Sequence, residues 1–170
     1  MEQSMMRSLP QSIEAEQSVI GAMLIDKSAI AQVLEKLKED DFYRDGHRVI
    51  YKAIQEMFAK DIAVDLVTLL EYLKTSDMLD KAGGVSYISE LSASVPTTAN
   101  LGAYIKIVDE KATLRRLIKS ATAIIEESYN GGTDVEKVID SAQKKIFDIA
   151  EKKDSKEYEP LSTVLERGFL

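Results

Sequence analysis

The sequence predicts an all-α protein, and three observations carry that reading. Apolar residues recur at three- and four-residue steps through most of the 170 residues, and no stretch holds up as a β-strand. The longest such pattern, Thr98 to Ala150, is split only once, by Asn130-Gly131-Gly132-Thr133-Asp134. Glycines there can take the positive φ that ends a helix, and Thr133 or Asp134 can cap the next. Capping residues also punctuate the shorter patterns upstream. The expected architecture is a compact helical body, then an antiparallel helical hairpin, then a linker opening a short amphipathic helix.

Residues 1–11 read as a disordered tail. The body is expected over 12–96. Ser12 is a suitable N-cap, with Glu14 and Glu16 in the positive first turn and Ile13, Val19, Ile20, Met23 and Leu24 inward. Asp26 breaks and restarts the chain, giving a helix with Ile30, Val33, Leu34 and Leu37 on one face. After Asp40-Asp41, the aromatics Phe42 and Tyr43 enter a helix bearing His47, Ile50, Tyr51, Ile54, Met57 and Phe58. That face is the densest so far and suits the centre of the body. Asp65 caps a helix through Leu66, Leu69, Leu70 and Leu73, and a turn at Met78-Leu79 stops at Gly83-Gly84. Val85 to Leu91 forms a last short helix, before Pro96 holds Val95 extended.

The hairpin, 97–151, carries Leu101, Ile105, Val108, Ala112, Leu114, Ile118, Ala121 and Ile125 on its first helix. Its second helix carries Val135, Ile139, Ala142, Ile146 and Ile149. A helix of about 30 residues runs ~45 Å, against a radius of gyration of ~13 Å for a body of about a hundred residues, so the hairpin should project. Two helices touching only each other bury one seam. Full burial of an Ile or Leu returns about 1.5–3 kcal/mol, while ordering each residue costs about 1–2. A second contact surface is expected, most simply another subunit. Residues 152–159 are nearly all charged and read as a solvated linker, and 160–170 begin a helix at Pro160. Its apolar stripe, Leu161, Val164 and Leu165, should dock on something outside this sequence, which points to a fragment or a further domain.

Composition narrows the function. A net charge of −7 argues against a nucleic-acid backbone as direct partner. Without cysteine there is neither a disulfide nor a thiolate metal site. No apolar run approaches the ~20 residues of a membrane span, and residues 1–9 lack a signal-peptide core, so a cytoplasmic protein is expected. His47, the only histidine, has no His or Cys partner for a metal and reads as a hydrogen-bonded structural residue. Glu14 and Glu16, like Asp40 and Asp41, are explained by helix ends. Gly83-Gly84 and Gly131-Gly132 fit neither GxxxxGK[ST] nor GxGxxG, so these residues should bind no nucleotide. Arg115 and Arg116, with Lys111 and Lys119, form a basic stripe that suits either a solvated face or contact with an acidic partner. Tyr87 suits the core or an interface anchor. Ile118 and Ile124 lie six apart, so one seam cannot bury both.

Several strings, in order, resemble the N-terminal part of bacterial DnaB-type replicative helicases. They are Ser12 to Gly21 (SIEAEQSVIG), Asp41-Phe42-Tyr43-Arg44 with His47, and Val64 to Leu69 (VDLVTL). Further on come Gly83 to Tyr87 (GGVSY), Ser94 to Asn100 (SVPTTAN) and Val108 to Ile118 (VDEKATLRRLI). The resemblance spans about residues 10 to 130. It implies hairpins paired between neighbours in a trimer-of-dimers collar on a hexameric ring. The collar would meet the C-terminal domain of primase and influence the helicase loader, and the linker helix would pack on the neighbouring motor domain. ATP and Mg would belong to a RecA-like motor that these residues lack, and DNA would be contacted only indirectly. The resemblance points to Tyr87, Ile118 and Ile124 as interface residues, and the apolar pattern adds Ile125, Ile139 and Ile146. Charge adds Arg115 and Arg116. A primase helicase-binding domain and an unrelated helical dimerisation adaptor are the alternatives, and cellular and phage origin stay open.

Overall fold

The computed structural model describes residues 7–157 apart from Pro96, Gly131 and Thr133, with backbone alone for 154–157. Among the described residues there are seven α-helices and no strand. They are α1 (Ile13–Ile25), α2 (Lys27–Lys36), α3 (Asp45–Ala59), α4 (Leu66–Thr75), α5 (Gly84–Ala93), α6 (Leu101–Asn130) and α7 (Val135–Glu157), with a 3-10 turn at Glu39–Asp41. The chain divides into two units, residues 1–112 and 113–170.

In the first unit the hub is α1, which packs against α2, α3 and α5. The dense face of α3 had suggested that helix for the centre. What puts α1 there is apolarity around its whole circumference, since Val19, Ile20, Ala22, Met23 and Leu24 are all buried. Helix α3 lies beside it, with Ile50, Tyr51, Ile54 and Met57 buried and Phe58 left exposed. Leu101, Ile105 and Val108, from the start of α6, complete this core. Gly21 lets α1 and α5 approach: a Cβ there would stand 2.4 Å from Val95 Cγ2 and 2.5 Å from the Leu91 carbonyl oxygen.

Side chains start the helices where the sequence indicated. Ser12 Oγ accepts from Ala15 N at 3.2 Å, and Asp65 Oδ1 accepts from Thr68 N at 2.9 Å. Asp26 accepts from both the amide and the hydroxyl of Ser28, at 2.9 and 2.8 Å, to cap α2. Its other oxygen accepts from the Thr98 hydroxyl at 3.2 Å, tying the α1–α2 corner to the approach to α6. These bonds, those from Ser28 foremost, hold the Asp26 carboxyl below the usual carboxylate range. Helices α3 and α4 end alike, on left-handed aspartates: Asp61 and Asp77 both have φ 59°, a place glycine usually fills.

Helix α7 runs to Glu157, so residues 152–157, read from their charge as linker, continue the helix. Lys and Glu are good helix formers, and extending an existing helix is far easier than starting one. Residues 1–6 of the expected tail, and Leu161, Val164 and Leu165 of the expected linker helix, lie outside the described residues.

Three outcomes follow. Gly21→Ala should lower stability by about 1–3 kcal/mol, whereas Gly102→Ala, whose nearest obstacle is the end of Gln32 at 3.9 Å, should raise it by about 0.4–1. Thermal unfolding of both variants separates close approach from mere flexibility. Burial, then Asp41 and Glu39, push the Tyr51 hydroxyl up to about 12. The unfolded chain ionises this group near its ordinary value of 10.0, so stability should decline above that pH and Tyr51→Phe should lack that decline. Asp26 acts in the opposite sense: its contribution is whole above the ordinary carboxylate value of 3.8 and is lost as pH falls through its lower folded value. Asp26→Asn should flatten that acid limb.

Candidate partner and oligomer interface

The body carries a polar network around Tyr87. Glu16 and His47 are fully buried. His47 Nδ1 lies 2.9 Å from Glu16 Oε1, and His47 Nε2 lies 2.6 Å from the Tyr87 hydroxyl. That hydroxyl also accepts from Arg44 Nη1 at 2.9 Å and Gln17 Nε2 at 3.2 Å. With both lone pairs engaged, its proton is left to donate to Nε2, which assigns the Nδ1 proton to the acceptor-only Glu16. Glu16 Oε2 accepts from Tyr43 N at 2.9 Å. Glu16 is therefore more than a first-turn acid. It shares a face with Val19, Ile20 and Met23 by helical spacing, a signal the sequence carried.

His47 is the structural residue its isolation suggested. Tyr87 is half-buried, its hydroxyl bound into this network and its ring 5.7 Å beneath the Arg44 guanidinium carbon. Gly83, left-handed at φ 111°, stands where a Cβ would meet Tyr87 Cδ1 at 2.5 Å, so the Gly-Gly turn makes room for the ring.

The second unit is built differently. From Thr113 onward no described residue is buried. Helices α6 and α7 meet through Glu127, whose Oε1 accepts from Lys145 Nζ at 2.6 Å and Ser141 Oγ at 3.3 Å. The Lys145 bond, then Ser141, holds the Glu127 carboxyl below the usual range. Ala123 and Ile124 on α6, with Val138, Ala142 and Ile149 on α7, are half-buried on the same faces. The isoleucines assigned to an interface lie elsewhere: Ile118 is 42% exposed, Ile125 56%, Ile139 51% and Ile146 45%. Leu114, Leu117 and Tyr129 lengthen the exposed α6 stripe, and Val135 and Phe147 widen the one on α7. Arg115 and Arg116 are half-buried. The structure thus gathers Ile118 and Ile125 on one stripe and leaves Ile124 nearer the seam. Tyr87, in the first unit, belongs to a separate cluster.

Replacing Tyr87 by Phe keeps the ring but leaves a buried His47 nitrogen without its partner. A loss of about 1–3 kcal/mol is expected, or about 2–4 °C of melting temperature per kcal/mol at this size. An unchanged melting temperature would remove the hydroxyl from the framework of the body.

Comparison with known proteins adds to this geometry. The profile of the DnaB-like helicase N terminal domain matches residues 8–110. The replicative DNA helicase DnaB of Mycobacterium leprae (strain TN) is 44% identical over 162 residues, covering 94% of this chain and 27% of that protein. The chain spans about a quarter to a third of the length of the curated relatives it matches. The crystal structure of the N-terminal domain of DnaB helicase from Mycobacterium tuberculosis superposes with a TM-score of 0.78 at 44% identity, covering 83% of this chain and 99% of that one. A DnaB-like replicative helicase, described with its interactions with primase, superposes with a TM-score of 0.67 at 27% identity, covering 83% of this chain and 31% of that one. With its body under the family profile and its helices in the same arrangement, the chain belongs to the DnaB-like helicase N-terminal domain family.

Proposed function

We propose that these residues form the assembly and docking part of a hexameric replicative DNA helicase. The hairpin pairs one copy with another, and the resulting collar receives primase and the helicase loader. The observation that carries this reading is the pair of exposed apolar stripes, Ile118 and Ile125 on α6 and Ile139 and Ile146 on α7. Such stripes, where no described residue from Thr113 onward is buried, favour an apolar partner. Primase enters because a structural relative is described with its interactions with primase. Tyr87, Ile124, Arg115 and Arg116 are the further residues assigned to partner contacts. Leu161, Val164 and Leu165 would dock on a neighbouring motor domain.

Unwinding of duplex DNA, with ATP and Mg, belongs in this reading to a motor outside these 170 residues. The sequence contains neither GxxxxGK[ST] nor GxGxxG. Gly83 serves to open α5 rather than to cradle a phosphate, and neither glycine pair is followed by the required lysine. DNA contact is indirect, and the working place is the bacterial cytoplasm, in a cell's own helicase or that of a phage. Among the described residues no helix is long and apolar enough to cross a membrane.

Sedimentation across a concentration series tests the pairing. Ile118→Asp removes apolar contact and adds a charge, so self-association should weaken by about tenfold or more while helicity holds. Ile125→Asp should do the same, and both should reduce capture by the cognate primase C-terminal domain. A particle of one copy at every dilution, or variants that associate and bind primase as the parent does, would overturn the reading.

A further inference from the structure

Arg44 stands at the N-cap of α3, a place that helix chemistry does not reserve for arginine. It makes no side-chain capping bond, and a cation at the positive end of a helix is disfavoured. Arg48, one turn on, shows the ordinary solution: its guanidinium donates to the Phe42 carbonyl at 2.7 Å and to Asp45 at 3.4 Å. The Arg44 guanidinium has Tyr87 instead. Its Nη1 donates to the tyrosine hydroxyl at 2.9 Å, and its central carbon lies 5.7 Å over the ring. One N–H of five is used, and among the described residues no carboxylate comes within ion-pair distance of it. The side chain is exposed, yet the hydroxyl that holds it is itself fixed by Gln17 at 3.2 Å and His47 at 2.6 Å. A flexible surface arginine loses rotamer freedom on binding, and this one has already given up part of it.

We propose that Arg44 is a docking residue of the body, taking one carboxylate from the protein that seats on Tyr87. The inference rests on the reading of Tyr87 as a partner contact, and it names the chemistry that meets that contact. A guanidinium offers two parallel N–H bonds that match the two oxygens of a carboxylate. Arginine and tyrosine are also the residue types enriched among the contacts that dominate protein interfaces. One cation selects one monoanion. A nucleic-acid backbone is held by several cations, and here Asp45, next in the chain with 94% of its side chain exposed, would repel a second negative charge.

The test is binding of the cognate primase C-terminal domain to the whole chain, measured by titration calorimetry across a salt series. Arg44→Gln should weaken binding about tenfold, a change of about 1.4 kcal/mol, and flatten its dependence on salt. Arg44→Lys keeps the charge but not the paired N–H bonds, so it should keep the salt dependence at an intermediate affinity. Arg44→Glu should bind most weakly. Thermal unfolding should show all three variants folded. Sedimentation should show Arg44→Gln associating as the parent does, since Arg44 belongs to the first unit and the apolar stripes to the second. Inorganic phosphate should displace the domain no better than acetate at equal ionic strength. Parent-like affinity in Arg44→Gln would overturn the proposal. So would weaker binding with the salt dependence intact, which would make Arg44 a support for Tyr87 alone, or displacement by phosphate where acetate has no effect. If the parent does not take up the domain, the docking reading fails and this inference with it. If the parent binds and Arg44→Gln binds equally, only the inference fails.

Discussion

A carboxyl group taken out of water is stable only where donors surround it, and Glu16 meets that condition from two directions. The imidazole of His47 reaches one oxygen from α3, and the Tyr43 amide reaches the other from the loop before it. Through His47 the same line continues to Tyr87 on α5 and back to Arg44. Helices far apart in sequence are thus held in one relation by bonds that tolerate little displacement, unlike the aliphatic contacts around them. Gly21 and Gly83 serve that relation, one by letting α1 and α5 approach and the other by clearing room for the tyrosine ring.

The assembly argument turns on a change of environment along α6. Up to Ala112 it buries Leu101, Ile105, Val108 and Ala112, and beyond Thr113 it leaves Leu114, Ile118 and Ile125 exposed. In the second unit an ion pair joins the two helices beside the half-buried Ala123, Ile124, Val138, Ala142 and Ile149, and Ile118, Ile125, Ile139 and Ile146 turn outward. A hairpin built to be self-sufficient would place them the other way round. This arrangement supports a role in joining chains.

Much of the fold was legible. Ser12, Asp26 and Asp65 marked helix starts because a side-chain oxygen at that position satisfies amides the helix leaves unpaired. The ends of α3 and α4 were harder, since aspartate rather than glycine takes the left-handed position at 61 and 77. Spacing revealed the stripes on α6 and α7, but it says only that residues share a face, not what covers that face. Ile118 and Ile125 lie round α6 from Ile105 and Val108, and only the environment shows which of the two sides meets the body. Glu16 was missed for a related reason: its donors come from residues 27 to 31 positions away, and no local pattern announces them.

In the proposed pairing, the bond between Lys145 and Glu127 has a consequence for how copies would recognise one another. Helices joined only by interchangeable aliphatic side chains can slip past each other by a turn at little expense. One short ionic clasp, braced by Ser141, admits a single alignment and so locks the phase of everything pointing away from it. The outward isoleucines then keep constant spacing across both helices, like teeth cut on one rack, and an incoming copy must mesh at one setting or not at all.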